Sequence, residues 1–428
     1  MSKTKMLWSI PELRKKILFT VAMLLLFRLG CAIPVPFINA DMLTALFSTG
    51  NAFDYLNLMS GGALSQCAIL ALGVTPYINA SIIIQLMSVV IPSWGEARKD
   101  SEGQKKIEMY TKILSTILAA ILSLGYMFVL GRYGALEYTS GFAKVFSGAV
   151  IVTCFVAGSQ FVLWLGKKID EYGIGNGVSL LIFAGIVARW HSVIAIAQNT
   201  VLGLKEGQWM VLVTLALSVV LLLVSIWFVV YVSGSERRIP IQYAGRVVGR
   251  SQYRSMGSYL PLKLMMSGVL PVIFASTVLS IPQTIAMFMN AEKHPDMVKA
   301  LMSFNSTNIV WCLLYVVLIF FFNYFYVSIQ YDAVEMANNL RMNGGMIPGR
   351  RPGKPTSEFI AKAMNQIAGT GSVALTLIAV APIVAQGITG VYMPLSGTSL
   401  LIVVGVATEL VTALDSYATV RNHKGFLA

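Results

Sequence analysis

The chain is 428 residues long, with 56% of them from the apolar set AVILMFWYC and only 12% charged, whereas soluble domains run at about 25% charged residues. That composition excludes an ordinary water-soluble globule and makes lipid the solvent for much of the surface. The net charge of +13 suits either nucleic acid or a membrane surface, and the placement of the charges must separate the two.

At the amino end, Lys3, Lys5, Arg14, Lys15 and Lys16 precede an apolar run over 17–37. A cleavable export signal shares that outline, but no small-residue cleavage pattern follows and equally apolar runs recur, so the run reads as a first membrane span. Between Asp54 and Glu96 the chain carries no formal charge for 41 residues. As one helix that stretch would reach ~60 Å, about twice the hydrocarbon thickness. Gly61 and Gly62 offer a break, so the expectation is a short re-entrant half-helix near 55–65 and then a full crossing over 68–91, with Pro76 inside it. Further spans are expected over 111–131, 147–166, 176–196, 209–232, 264–285, 307–328, 366–386 and 397–416, each close to the ~20 residues a crossing helix needs.

Ten spans place 25 of the 32 Lys and Arg on one face, and the positive-inside rule then puts both termini in the cytoplasm. Two connections on that face, 233–263 and 329–365, carry several arginines among glycines and prolines. They are far longer than the ~4–6 residues of a typical connection. They read either as solvated positive-inside loops or as docking surfaces.

Little in the spans could do covalent chemistry. Cys31, Cys67, Cys154 and Cys312 lie far apart in apolar stretches, with neither a disulfide framework nor zinc spacing. His191, His294 and His423 form no metal or catalytic constellation, and no cofactor is expected. Few ionisable residues, among them Arg28, Arg189 and Glu409, fall within the spans. Glu409 reads either as a coupling carboxylate or as a group near the inner end of the last span, satisfied by a polar neighbour or a partner chain. The segment GRVVGRS from Gly245 lacks the length, the lysine and the preceding strand of a phosphate loop, and GIGNG from Gly173 reads as a tight turn between spans. An enzyme is therefore not expected, and an ion-coupled secondary transporter of a small solute would find few coupling groups in these spans.

Longer motifs carry a resemblance. MSGGALSQCAILALGVTPYINASIIIQL from Met59, GIGNGVSLLIFAGIVA from Gly173, RRIPIQYAGRVVGR from Arg237, SGVLPVIFAS from Ser267, PGRRPGKPT from Pro348 and GTSLLIVVGVATE from Gly397 resemble, in order and over essentially the whole chain, the SecY/Sec61-alpha family of protein-translocase channels. The resemblance implies an all-α membrane protein with ten transmembrane helices in two inverted five-helix halves around an hourglass pore. Residues 1–200 would form the first half, spans one to five with a re-entrant plug half-helix near 55–65, and residues 201–428 the second. It implies a channel of the general secretory pathway in the bacterial plasma (inner) membrane. Such a channel passes unfolded polypeptides outward and releases hydrophobic segments sideways into the lipid bilayer.

Carried over position by position, the resemblance assigns a pore ring to Val74, Ile78, Val178, Ile182, Ile273 and Ile402. The plug falls on Met59, Ser60, Gly61, Gly62, Ala63, Leu64 and Ser65. The lateral gate takes Asn79, Gln85 and Ile281, although ordinary interhelical hydrogen bonding would also account for the two amides. Arg246, Arg250 and Arg351 would meet the SecA ATPase or a ribosome. The other implied partners are the SecE and SecG subunits, signal-sequence-bearing polypeptides and membrane lipids.

Overall fold

The computed structural model describes residues 10–39, 63, 66–97, 100–132, 134–138, 141–188, 209–243, 247–248, 251–252, 258–289, 295–304, 308–389 and 397–424. Each of the ten apolar stretches overlaps a helix there, but the first helix ends at Gly30 rather than 37, and the second and seventh start at Thr75 and Leu270 rather than 68 and 264, because turns and a bridge occupy the chain before them. In chain order these are α1 (Pro11–Gly30), α2 (Thr75–Val90), α4 (Ser101–Arg132), α5 (Gly141–Tyr172), α6 (Gly177–Ala188), α7 (Trp209–Gly234), α8 (Leu270–Phe288), α10 (Ile309–Gln330), α12 (Lys354–Thr389) and α13 (Gly397–Lys424). Three shorter helices, α3 (Pro92–Ala97), α9 (Pro295–Ser303) and α11 (Ala333–Met342), lie between them. Among the described residues, five helices are long and apolar enough to cross a membrane, those beginning at Ser101, Gly141, Ile309, Lys354 and Gly397. This is the all-helical membrane architecture that the hydropathy pattern calls for.

The chain divides into two compact units, 1–206 with 279–305 and 406–428, and 207–278 with 306–405. In the first unit, α4 packs against α2 and α5, and α1 against α5 and α6. Its core gathers Val35, Cys67, Ala71, Tyr126, Leu130, Ile151 and Phe155, with the Tyr126 and Phe155 rings edge to face at 5.4 Å. The segments after α1 and before α2 meet in an antiparallel bridge, Pro34 to Ala68, which satisfies backbone groups that no helix can pair here. Cys67 adopts a left-handed φ of 48° at that crossing.

The second unit contains the two long polar connections, and they are not structureless. β1 (Glu236–Tyr243) pairs antiparallel with β4 (Ser258–Lys263), in register Arg238 to Pro261 and Ile241 to Ser258. β5 (Gly345–Met346) adds to the other edge of β1, giving the order β4-β1-β5. Between them β2 (Val247–Val248) pairs with β3 (Ser251–Gln252). The alternation along β1 sends Ile239 and Ile241 inward and Arg238 and Pro240 outward, as a one-faced strand requires. Ile239, Leu262 and Met266 bury against Val327 of α10, Ala337 of α11 and Ile360, Ala363, Met364 and Ile367 of α12. Asp332 caps α11 by accepting from the Val334 and Glu335 amides at 2.8 and 3.3 Å, a capping geometry that satisfies donors left over by the first turn.

A strand therefore does precede Gly245, contrary to the sequence reading of that segment. β1 pairs with another strand across a hairpin and no helix follows the glycines directly, so the strand-loop-helix frame of a phosphate loop is not built.

Candidate functional site

The six aliphatic residues assigned to the ring divide between the two units. In the first, Val74 is the residue just before α2 and Ile78 sits one turn on, with the Ile78 amide donating to the Val74 carbonyl at 3.1 Å. Val178 and Ile182 have the same one-turn spacing at the start of α6, so each pair shares a helix face. Val74, Ile78 and Ile182 are 5%, 6% and 4% exposed, and Val178 is half-buried.

The start of α6 is fixed by a dense set of bonds in the GIGNG turn. Gly175 takes a φ of 78°, the Gly177 amide donates to Asp170 Oδ1 at 2.7 Å and the Ser179 amide to Asn176 Oδ1 at 3.0 Å. From α1, Thr20 Oγ1 accepts from the Ile174 amide at 3.1 Å and donates to the Lys16 carbonyl at 2.9 Å. A Cβ at position 166 of α5 would lie 3.3 Å from Val178 Cγ2, so α5 approaches Val178 closely only because that position is glycine.

In the second unit, Ile273 on α8 and Ile402 on α13 are each 5% exposed. A Cβ at Gly405 would lie 3.0 Å from Val269 Cγ1, so the residue just before α8 touches α13 there. Ile273 lies one turn after Val269, and Ile402 about one turn before Gly405. Both chain directions therefore lead from a shared contact to an apolar residue buried from solvent.

Of the residues that the resemblance assigns to a gate, Asn79 and Gln85 lie on α2, both half-buried. Asn79 Oδ1 is enclosed with no hydrogen-bond partner among the described residues, while Gln85 Nε2 donates to Ser81 Oγ at 2.9 Å. Ile281 on α8 is 50% exposed. Ala63 is buried at 1%; Met59, Ser60, Gly61, Gly62, Leu64 and Ser65 lie outside the described residues, as do Arg246 and Arg250.

Arg351 is exposed in the turn that leads into α12, where its carbonyl accepts from Thr356 Oγ1 at 2.8 Å. Its neighbour Arg350 instead lies over the Phe359 ring, 5.3 Å from the centroid. On β1, Arg238 donates to the Glu236 carboxylate at 2.7 Å and stacks on Tyr259. The bond to Glu236 holds its guanidinium above the ordinary arginine range, so this charge is constant at any working pH. Glu409 is exposed on α13. Among the described residues no group of His, Cys, Asp and Glu could hold a metal ion, and none of the four cysteines forms a disulfide.

Sequence reasoning missed two polar arrangements. Lys167 of α5 donates to the Glu108 carboxylate on α4, which Lys112 also approaches at 3.4 Å. In the second unit, Asn323, 2% exposed in the middle of α10, meets Ser267 and Ser372. A lone asparagine within the apolar run LIFFFNYFYV was the available signal.

Comparisons with known proteins bear on what this arrangement serves. A family model described as SecY matches residues 68–411. The protein translocase subunit SecY of Thermotoga maritima is 38% identical over 429 residues, spanning 98% of this chain and 96% of its own. A solved structure described as a protein-conducting channel superposes with a TM-score of 0.64 at 18% identity, over 97% of this chain and 96% of that one. Sec61 in the canine ribosome-channel complex from the endoplasmic reticulum superposes with a TM-score of 0.60 at 17% identity, over 97% and 96%. The fold is shared with these channels.

Proposed function

The chain belongs to the SecY family, and from that premise we propose that it is the protein-conducting channel of the general secretory pathway. It passes unfolded polypeptides across the plasma membrane and releases hydrophobic segments into the bilayer. The observation that carries the mechanism is that all six ring positions hold Val or Ile, none with a polar side-chain atom and five of them at 4–6% exposure. An aliphatic constriction dewets and so resists ions. It also offers a passing chain no hydrogen bonds to hold it, which suits substrates of any sequence. Residues 1–200 and 201–428 form the two halves, and the plug over 59–65 seals the ring from the outer side. Asn79, Gln85 and Ile281 lie along the seam that opens to lipid, where Asn79 Oδ1, enclosed without a partner among the described residues, has reason to be kept.

The chain itself performs no covalent step, so transport needs an external motor. SecA supplies ATP hydrolysis or a ribosome supplies the growing chain, docking through Arg246, Arg250 and the exposed Arg351 with acidic protein or RNA phosphate. SecE braces the halves and SecG is peripheral. Both termini face the cytoplasm, in keeping with the 25 of 32 cationic residues on that face.

The test is reconstitution of the chain with SecE in vesicles. ATP and SecA should drive a protease-protected precursor into the lumen. If precursor stays outside while a small solute accumulates down an ion gradient, the chain is a secondary transporter instead.

A further inference from the structure

Asn323 lies near the middle of α10, where an unsatisfied amide would cost several kcal/mol, and every polar atom of its side chain is engaged. Its Nδ2 donates to the Ala368 carbonyl and to Ser372 Oγ of α12, each at 2.8 Å. Its Oδ1 accepts from Ser267 Oγ, in the segment between β4 and α8. Ser372 Oγ in turn donates to the Ala368 carbonyl at 2.9 Å. Ser267 and Ser372 are 3% and 0% exposed. One side chain thus ties together α10, α12 and the chain entering α8.

The six-residue segment between β4 and α8, residues 264–269, is also held by independent contacts on the amino-terminal side of Ser267. The Leu264 amide donates to the Ser235 carbonyl at 2.8 Å, and a Cβ at position 371 would stand 2.5 Å from the Leu264 carbonyl oxygen, so α12 closes on that backbone at a glycine. Ser233 Oγ reaches Met265 Sδ at 3.5 Å, and Tyr331 OH donates to the Met266 carbonyl at 3.4 Å. At Gly268 φ turns to 62°, and α8 begins two residues later. Ile273 follows Ser267 by six residues, and Val269, between them, carries the contact with Gly405 of α13.

We propose that Asn323, with Ser267 and Ser372, is a positioning clasp: it fixes the segment from which α8 starts and thereby sets where Ile273 and, through Val269 and Gly405, Ile402 stand in the ring. This rests on the pore reading given above. A hydrogen bond between buried amide and hydroxyl is directional, and this one holds Ser267, nearer to α8 than the bonds at Leu264, Met265 and Met266. The clasp therefore determines how tightly the resting channel seals. Its disruption opens a leak before it stops transport.

The test uses vesicles loaded with potassium and holding the reconstituted complex at matched abundance, with no precursor present. Asn323→Leu removes all three bonds, Ser267→Ala removes the one to the α8 segment, and Ser267→Thr keeps its hydroxyl. Ser267→Ala is expected to raise resting potassium efflux roughly three- to ten-fold, the shift that loss of one buried hydrogen bond gives a two-state equilibrium, and Asn323→Leu to raise it at least as much. ATP-driven precursor uptake persists, and Ser267→Thr stays at the wild-type leak. Should Asn323→Leu fail to accumulate, Ser267→Ala against Ser267→Thr decides alone. Unchanged efflux in Ser267→Ala, with a photo-crosslinker at Ile273 still labelling precursor, overturns the clasp and leaves the pore reading standing. Absence of labelling at Ile273 in the otherwise wild-type channel during active uptake removes the pore reading first.

Discussion

A Cβ at Gly158 of α5 would collide with the carbonyl oxygen of Ile69, in the turn before α2, and touch its Cγ2, and backbone cannot give way there as a flexible side chain could. Close approach at small residues is how membrane helices gain contact without a hydrophobic driving force between them. Gly158→Ala is therefore expected to destabilise the first unit by about 1–3 kcal/mol, the usual cost of overpacking. Fluorescence-detected gel filtration after heating in detergent should show a lower midpoint; an unchanged midpoint would mean that the chain before α2 is held elsewhere. At this scale some features were legible and others were not. The turn at Gly173 to Gly177 could be read from composition, because a positive φ such as the 78° at Gly175 selects glycine. Gly158, Gly371 and Gly405 could not, since nothing in one helix announces which backbone will press against it.

At the scale of elements, the apolar runs announced their helices because length and charge exclusion are strong signals. The polar connections hid theirs. In ERRIPIQY the alternation of Ile239 and Ile241 with outward Arg238 and Pro240 was present, but two prolines, Pro240 and Pro261, fall on paired strands and count against a ladder in isolation. The strands hold because their inward residues find α10, α11 and α12 beneath them, a tertiary gain that a local reading does not contain. The turn before α12 makes a sharper prediction. Arg350 is engaged with Phe359 while Arg351 is exposed, so Arg351→Glu should impair motor-driven uptake several-fold at unchanged abundance and unchanged resting leak. Equal uptake by Arg351→Glu and the parent would remove this residue from the docking surface.

At the scale of the whole molecule, each of the ten expected spans overlaps a helix, five of which are long and apolar enough to cross a membrane among the described residues, and the family match over 68–411 agrees with what the longest motifs implied. The ring is different in kind. Valine and isoleucine are among the commonest residues of any membrane helix, so no pattern of burial or spacing distinguishes one that lines a passage from one that packs against a neighbour. Only the resemblance proposes these six.

The most direct measurement places a photo-crosslinking side chain at Ile78 and, separately, at Ile402, and arrests a precursor partway through the reconstituted, motor-driven channel. The account predicts covalent labelling of the arrested precursor from both positions, and none from a lipid-exposed control such as Val224 on α7, which is 56% exposed. Labelling of lipid from Ile78 and Ile402, with the precursor unlabelled while uptake proceeds, would contradict it.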